Sequence, residues 1–211
     1  AEAARAAAAA RRGARAARGR ALLHGGGVGP TWLCRDPKAS LTCPAGQWEG
    51  AFGRLAEFLD QHRGDRVVGW LGYDLGLDVE AWPRAATDDF ATPVLHVTAF
   101  ADVTEFVDVD ASGAPEVRPS GELLATVSQA DYEARVAQVV EHIRDGDIFQ
   151  ANLTQPFTAS FDGDPRALFW RLCEQSPAPF AAYVEDGDGT AVLSSSPEEF
   201  LWRDGDQLRT K

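Results

Sequence analysis

Phe180-Ala181-Ala182-Tyr183-Val184 and Thr190-Ala191-Val192-Leu193-Ser194 flank the segment Glu185-Asp186-Gly187-Asp188-Gly189. Two apolar, strand-like runs joined by Asp-Gly pairs read as a β-hairpin, because Asp-Gly favours the tight reversal between antiparallel strands. Downstream, Phe200–Arg203 and Gln207–Thr210 read as a second hairpin around Asp204-Gly205-Asp206. Upstream, Asp164-Pro165 opens a helix, with Asp as cap and Pro in the first turn. Leu168, Phe169, Leu172 and Cys173 form its expected buried face.

Further upstream, the strongest helical pattern runs from Gln129 to Asp145. Tyr132, Val136, Val139, Val140 and Ile143 fall on one face. Ser128 with Asp131 has the form of a capping box, and Gly146 supplies a left-handed C-cap. A strand is expected to follow at once. Alternation would put Phe149, Ala151 and Leu153 on one face and Gln150, Asn152 and Thr154 on the other.

The first part of the chain has the texture of short strands. Ala21–His24, Thr31–Cys34 and Ser40–Cys43 are separated by Gly, Pro and Asp turn signals. A helix is expected near Trp48–His62, with Ala51, Phe52, Leu55, Phe58 and Leu59 as its apolar stripe. Arg66–Asp74 reads as a strand with close-packing glycines. Val94–Phe100 and Glu105–Val109 read as two more strands, followed by a turn at Ala111–Pro115. Strands without interleaved helices dominate. The expected fold class is α+β, with largely antiparallel sheets and helices packed outside.

Composition narrows the function. Apolar residues make up 45% of the 211 residues, ordinary for a globular protein. No apolar run reaches the ~18 residues of a membrane span. Residues 1–20 carry six arginines and one glutamate, +5 in all, which leaves −17 on the rest of a chain of net charge −12. So acidic a body argues against binding nucleic acid, which wants clustered Lys and Arg. The Ala/Arg-rich start lacks the apolar core of a secretion signal and reads as a linker or an ill-defined start, with an organelle transit peptide as the alternative. Cys34, Cys43 and Cys173 have no Cys-x-x-Cys spacing. They read as free thiols of a reducing, cytoplasmic compartment. The four histidines are scattered, so no zinc site is expected, and the Glu185–Gly189 loop is too short for calcium. No residue is therefore assigned as a metal ligand.

Two groups of residues can carry chemistry. Gln150, Asn152 and Thr154 form a polar row. It is either solvent-facing, satisfied within the protein, or the wall of a pocket that orients a hydroxylated, carboxylated ligand. In Ser196-Pro197-Glu198 the proline stiffens the turn and holds Glu198 at the end of a strand. A carboxylate held this way can serve as a general acid or base. Glu199 stands beside it, and the sequence does not rank the two.

Five runs occur in an order that resembles the chorismate-utilising enzymes of the component I synthase family. They are Leu22-Leu23-His24, Gly69-Trp70-Leu71-Gly72-Tyr73-Asp74, Gly146–Thr154, Ser176-Pro177-Ala178-Pro179-Phe180 and Ser194–Leu201. Gln150-Ala151-Asn152-Leu153, the Leu-Leu-His start and Ser176–Ala181 resemble the aminodeoxychorismate synthase branch more than the anthranilate synthase branch. The resemblance implies amination of chorismate at C4 on the route to 4-aminobenzoate and folate. Amination at C2 is the enzymatic alternative, and an effector-binding or glutaminase-docking module is the non-enzymatic one.

The resemblance also implies roles. Glu198 would be general acid/base for the departing C4 hydroxyl, with Gln150, Asn152, Thr154 and Ser196 in the substrate-pocket wall. A nucleophilic lysine would follow about three residues after Lys211, which is itself not the nucleophile. Mg2+ would bind the substrate carboxylate through glutamates beyond Lys211. A glutamine amidotransferase subunit or fused domain would supply ammonia. An effector pocket, holding tryptophan in some relatives, would involve His24, Gly25, Pro179 and Phe180. The family often has serine where this chain has Gly25, so one ligand contact would be lost. The sequence holds no methionine. It reads as an N-terminal fragment, inactive alone, with residues 21–127 as the N-terminal region and 128–211 as the start of the chorismate-binding region.

Overall fold

The computed structural model describes residues 20–27, 29–81, 90–107, 113 and 116–210. The expectations for residues 1–19, for most of the Ala111–Pro115 turn and for Lys211 lie outside the described residues. The chain divides into two compact units, Ala1–Pro115 with Pro165–Lys211, and Glu116–Asp164.

The larger unit is built on one six-stranded sheet. Its strands are β1 (Ala21–His24), β2 (Thr31–Cys43), β3 (Arg66–Leu71), β4 (Leu95–Phe106), β7 (Phe180–Glu185) and β8 (Ala191–Ser196), in the spatial order β3-β4-β2-β1-β7-β8. Every neighbouring pair is antiparallel. The β7–β8 hairpin closes at Glu185↔Ala191. In its turn, the Asp186 carboxylate accepts from the backbone N–H groups of Asp188 at 2.8 Å and Thr190 at 3.0 Å. Helix α1 (Ala51–Gln61) buries Ala51 and Phe58 against Cys43, Leu95, Val97 and Ala99. Helix α3 (Pro165–Gln175) buries Phe169, Trp170 and Cys173 against Leu22, Leu33, Ala181 and Tyr183. A third cluster joins Ala21, Cys34, Val68, Phe100 and Val184. Strands β9 (Trp202–Asp204) and β10 (Gln207–Arg209) form the second expected hairpin.

The smaller unit holds helix α2 (Gln129–Asp145) and a two-residue ladder between β5 (Leu124–Ala125) and β6 (Phe157–Thr158). Both expected caps of α2 form. The Ser128 hydroxyl accepts from Asp131 N–H at 3.2 Å, and Gly146 turns left-handed at φ 81°. The apolar stripe of α2 is not buried within the unit: Val136, Val140 and Ile143 are 37–42% exposed.

Five expectations change. The strand expected over Arg66–Asp74 ends at Leu71, and Tyr73–Asp78 forms a short 3₁₀ helix. Thr31–Cys34 and Ser40–Cys43 are one strand, interrupted by a bulge at Pro37/Ala39 where Asp36 turns left-handed at φ 53°. Pro37 sits at this bulge, one of the few places in a sheet where a residue without an N–H is tolerated. Val94–Phe100 and the start of Glu105–Val109 likewise merge into β4, which ends at Phe106, and Arg35 and Asp102 pair across the ladder at 2.7 Å; residues 108 and 109 lie outside the described residues. Residues 149–156 form no strand, because no partner strand in the unit offers them a ladder; Phe149 is 90% exposed. In α3, Trp170 is buried, whereas Leu168 and Leu172 are half-buried.

Candidate functional site

Strand β8 ends at Ser196, paired with Phe180 of β7. The next residue, Pro197, has a restricted φ and no N–H, so the chain leaves the ladder stiffly. Ser196 Oγ accepts from Glu198 N–H at 3.4 Å and donates to the Glu198 carbonyl at 3.0 Å, which closes a small loop. Glu198 is exposed, and its carboxylate has no hydrogen-bond or ion-pair partner among the described residues.

The structure separates the two glutamates that the sequence does not rank. Arg209 reaches both carboxylate oxygens of Glu199, through Nε at 3.1 Å and a terminal nitrogen at 3.3 Å. The Glu199 side chain is 13% exposed. Thr210 Oγ1 donates to the Glu199 carbonyl at 3.3 Å, and the Arg209 guanidinium lies 4.4 Å over the Trp202 ring. Glu199 is thus engaged by the protein, whereas Glu198 presents an unengaged carboxylate on a restrained backbone. Arg209 and Trp202 were missed by sequence reasoning. Only the closure of β9 on β10 brings them to the turn.

In the smaller unit, Gln150, Asn152 and Thr154 are exposed. Their side chains have no protein partner among the described residues. The Tyr132 hydroxyl donates to the Leu153 carbonyl at 3.0 Å and ties this irregular segment to α2.

His24, Gly25, Pro179 and Phe180 do come together. The β1–β7 register places His24 opposite Ala181, next to Phe180 and Pro179. His24 is 5% exposed, its Nδ1 hydrogen-bonds Thr31 Oγ1 at 2.8 Å, and its ring meets Trp170 edge-on at 5.4 Å. Burial pushes its pKa below the ordinary 6.5, so the ring is neutral near pH 7. A Cβ on Gly25 would lie 2.4 Å from the Gly29 carbonyl carbon. The missing serine hydroxyl therefore follows from a tight loop that excludes any side chain. Ser195 Oγ donates to the Ser176 carbonyl at 2.5 Å, so the Ser176–Phe180 segment and the strand leading to Glu198 are directly connected. Trp170 and Ser195 carried no local signal, since their partners are distant in sequence, and Thr31 meets His24 only through the β1–β2 reversal.

No cysteine offers a ready nucleophile. Burial pushes the Cys34 thiol up to about 11 and the Cys173 thiol up to about 12, and Cys43 is fully buried. Among the described residues no three His, Cys, Asp or Glu side chains are grouped to hold a metal ion. No helix among them is long and apolar enough to cross a membrane.

The family profile described as chorismate binding enzyme matches residues 19–211. Aminodeoxychorismate synthase component 1 of Salmonella typhimurium is 31% identical over 167 residues, covering 69% of this chain and 37% of that protein. Anthranilate synthase component 1 1 of Haloarcula marismortui is 31% identical over 216 residues, covering 77% of this chain and 44% of that protein. The chain thus spans less than half the length of either relative. The solved anthranilate synthase component I of Streptococcus pneumoniae TIGR4 shares the fold, with a TM-score of 0.66 at 17% identity, over 85% of this chain and 52% of that one. With nearly its whole length matched by one profile, this chain belongs to the chorismate-binding enzyme family.

Proposed function

We propose that the protein carrying this chain aminates chorismate at C4, as an aminodeoxychorismate synthase component I, and that Glu198 is its general acid/base. The observation that carries this reading is the contrast at the Ser196–Glu199 turn. Glu199 is bound by Arg209, while the Glu198 carboxylate is unengaged on a backbone held by Ser196 and Pro197. In the reaction the C4–O bond breaks as Glu198 donates a proton, releasing water. A C4–N bond forms to ammonia, whose surplus proton returns to the Glu198 carboxylate. A partner glutaminase would supply the ammonia. The exposed Gln150, Asn152 and Thr154 are suited to the substrate's hydroxyl and carboxylates. The Mg2+ implied by the resemblance finds no ligand set among the described residues, and the resemblance puts its carboxylate ligands beyond Lys211. An amino-acid effector there would meet His24 as a neutral ring whose Nδ1 already bonds Thr31, and Gly25 as backbone alone.

Amination at C2 is the second reading, favoured by the Haloarcula relative's equal identity over more of the chain. Product identity tests the two. The full-length protein, given chorismate, magnesium and ammonium, should form 4-amino-4-deoxychorismate, read as 4-aminobenzoate after an added lyase. Formation of fluorescent 2-aminobenzoate instead would overturn the C4 assignment. Glu198→Gln should lower kcat by ~10²–10⁴-fold, the usual worth of a positioned general acid. An unchanged kcat would remove Glu198 from the chemistry.

A further inference from the structure

We infer that the Glu199–Arg209 ion pair positions Glu198 for proton transfer. The inference rests on the reading of Glu198 as general acid/base. Among the described residues no hydrogen bond holds the Glu198 carboxylate, so where it can reach depends on how firmly its backbone is held. On the N-terminal side that backbone is held by Pro197 and by both bonds of Ser196 Oγ. On the C-terminal side three contacts converge on the next residue and its partner. Arg209 takes both oxygens of Glu199, Thr210 takes its carbonyl, and Trp202 lies under the guanidinium.

Exposed ion pairs usually contribute little. This one differs in being forked, stacked on an aromatic ring, and closed over a carboxylate that is 13% exposed. It also joins two elements that are weak alone. A hairpin of two three-residue strands is marginal by itself, and a turn after Pro197 has left its ladder. The pair fastens one to the other across Phe200 and Leu201, and the peptide that follows Glu198 is pinned as a result. Catalytic groups must be held within about 0.5 Å of productive geometry. Loosening this pin should therefore cost turnover while leaving substrate affinity alone.

The test uses the full-length protein that carries this chain, with steady-state chorismate kinetics and thermal melts for each variant. R209Q and E199Q should each lower kcat about tenfold with KM within about twofold, since small misplacements cost rate steeply. R209K keeps the charge but loses the fork, and should fall in between. The exchanged pair E199R/R209E should restore kcat to within about threefold, which a loss of general stability would not predict. If kcat of a folded R209Q is unchanged while E198Q is impaired, the inference fails and the role of Glu198 stands. A rise in KM with kcat intact, or a folded exchanged pair that stays impaired, also overturns it. A wild-type protein that leaves chorismate unaltered, or an E198Q variant of normal rate, overturns the proposed function and this inference together.

Discussion

Gly69 sits where β3 runs closest to β4, and a Cβ built there would lie 1.9 Å from the His96 carbonyl oxygen. Backbone cannot yield as a flexible side chain does. Gly69→Ala should therefore destabilise the larger unit by several kcal/mol, at or above the ~1–3 kcal/mol usual for overpacking. A thermal melt checks this, and an unchanged midpoint would mean that the two strands separate freely. This constraint was legible, because glycines at Gly69 and Gly72 inside a Val- and Trp-containing run signal close backbone approach. The surroundings of His96 were not. Its Nδ1 bonds Thr42 Oγ1 at 2.9 Å, its Nε2 bonds Thr98 Oγ1 at 3.1 Å, and Ser40 extends the chain to Thr98 at 2.8 Å. Trp70 stacks on the ring at 4.7 Å. Four of these five residues lie on β2 and β4, and only their mutual register reveals the cluster. Glu198 and Glu199 teach the same lesson. Their chemistry is identical in sequence, and a residue ten positions downstream decides which one is engaged.

At the scale of elements, helices were read better than strands. Helix signals are local: Ser128 caps α2, Gly146 ends it, and the Asp164-Pro165 step opens α3. Ser128→Ala removes the hydroxyl that accepts from Asp131 N–H. It should cost about 1 kcal/mol, within the ~0.5–2 kcal/mol range for lost N-caps. Helical circular dichroism across a urea titration would detect it, and Ser128→Asp should largely restore stability. The start of α1 follows a different logic. Gly50 precedes it with no side chain to cap it, and the Asp78 carboxylate instead accepts from Gly50 N–H at 2.6 Å and Phe52 N–H at 3.0 Å. Twenty-six residues separate Asp78 from Phe52, so no local motif reports this cap. Strand lengths were misread for a related reason. Asp36-Pro37 is a turn signal in isolation, yet the ladder to β4 carries the chain past it with one bulge. Conversely, Phe149–Thr154 alternates as a strand should, but among the described residues no strand pairs with it. Alternation is a necessary condition for a strand, while a neighbour's open hydrogen-bonding edge supplies the rest.

For the whole molecule, acid should weaken the fold in two stages. His24 and His96 are both buried, and burial lowers both pKa values from 6.5; nearby Asp186 and Asp188 oppose the shift at His96 without reversing it. The unfolded chain takes up these protons first as pH falls. Stability is thus full above pH 6.5 and declines as pH drops through the lowered values, by about 1.4 kcal/mol per unit of difference. The second stage begins below 3.8. Hydrogen bonds from Lys38, then His62, lower the Asp65 pKa. At Asp186, burial raises the pKa, but the N–H donors of Asp188 and Thr190 outweigh it and leave the group lowered. Protonating either carboxylate removes a native interaction. Urea midpoints from pH 8 down to 3.5 should show the first decline below pH 6.5. A level midpoint between pH 7 and 5 would mean that neither histidine is carried neutral. The antiparallel α+β architecture was legible from hairpins and turn chemistry, since those signals are near neighbours. The strand order was not, because β1 meets β7 across some 160 residues of intervening chain.

Strand β1, only four residues long, is hydrogen-bonded to β2 on one edge and to β7 on the other. It acts as a keystone: β3, β4 and β2 stand to one side of it, β7 and β8 to the other. Trimming Ala21–His24 would therefore do more than shorten a terminus. It would split one sheet into two incomplete ones, each with a bare edge open to pairing with other chains.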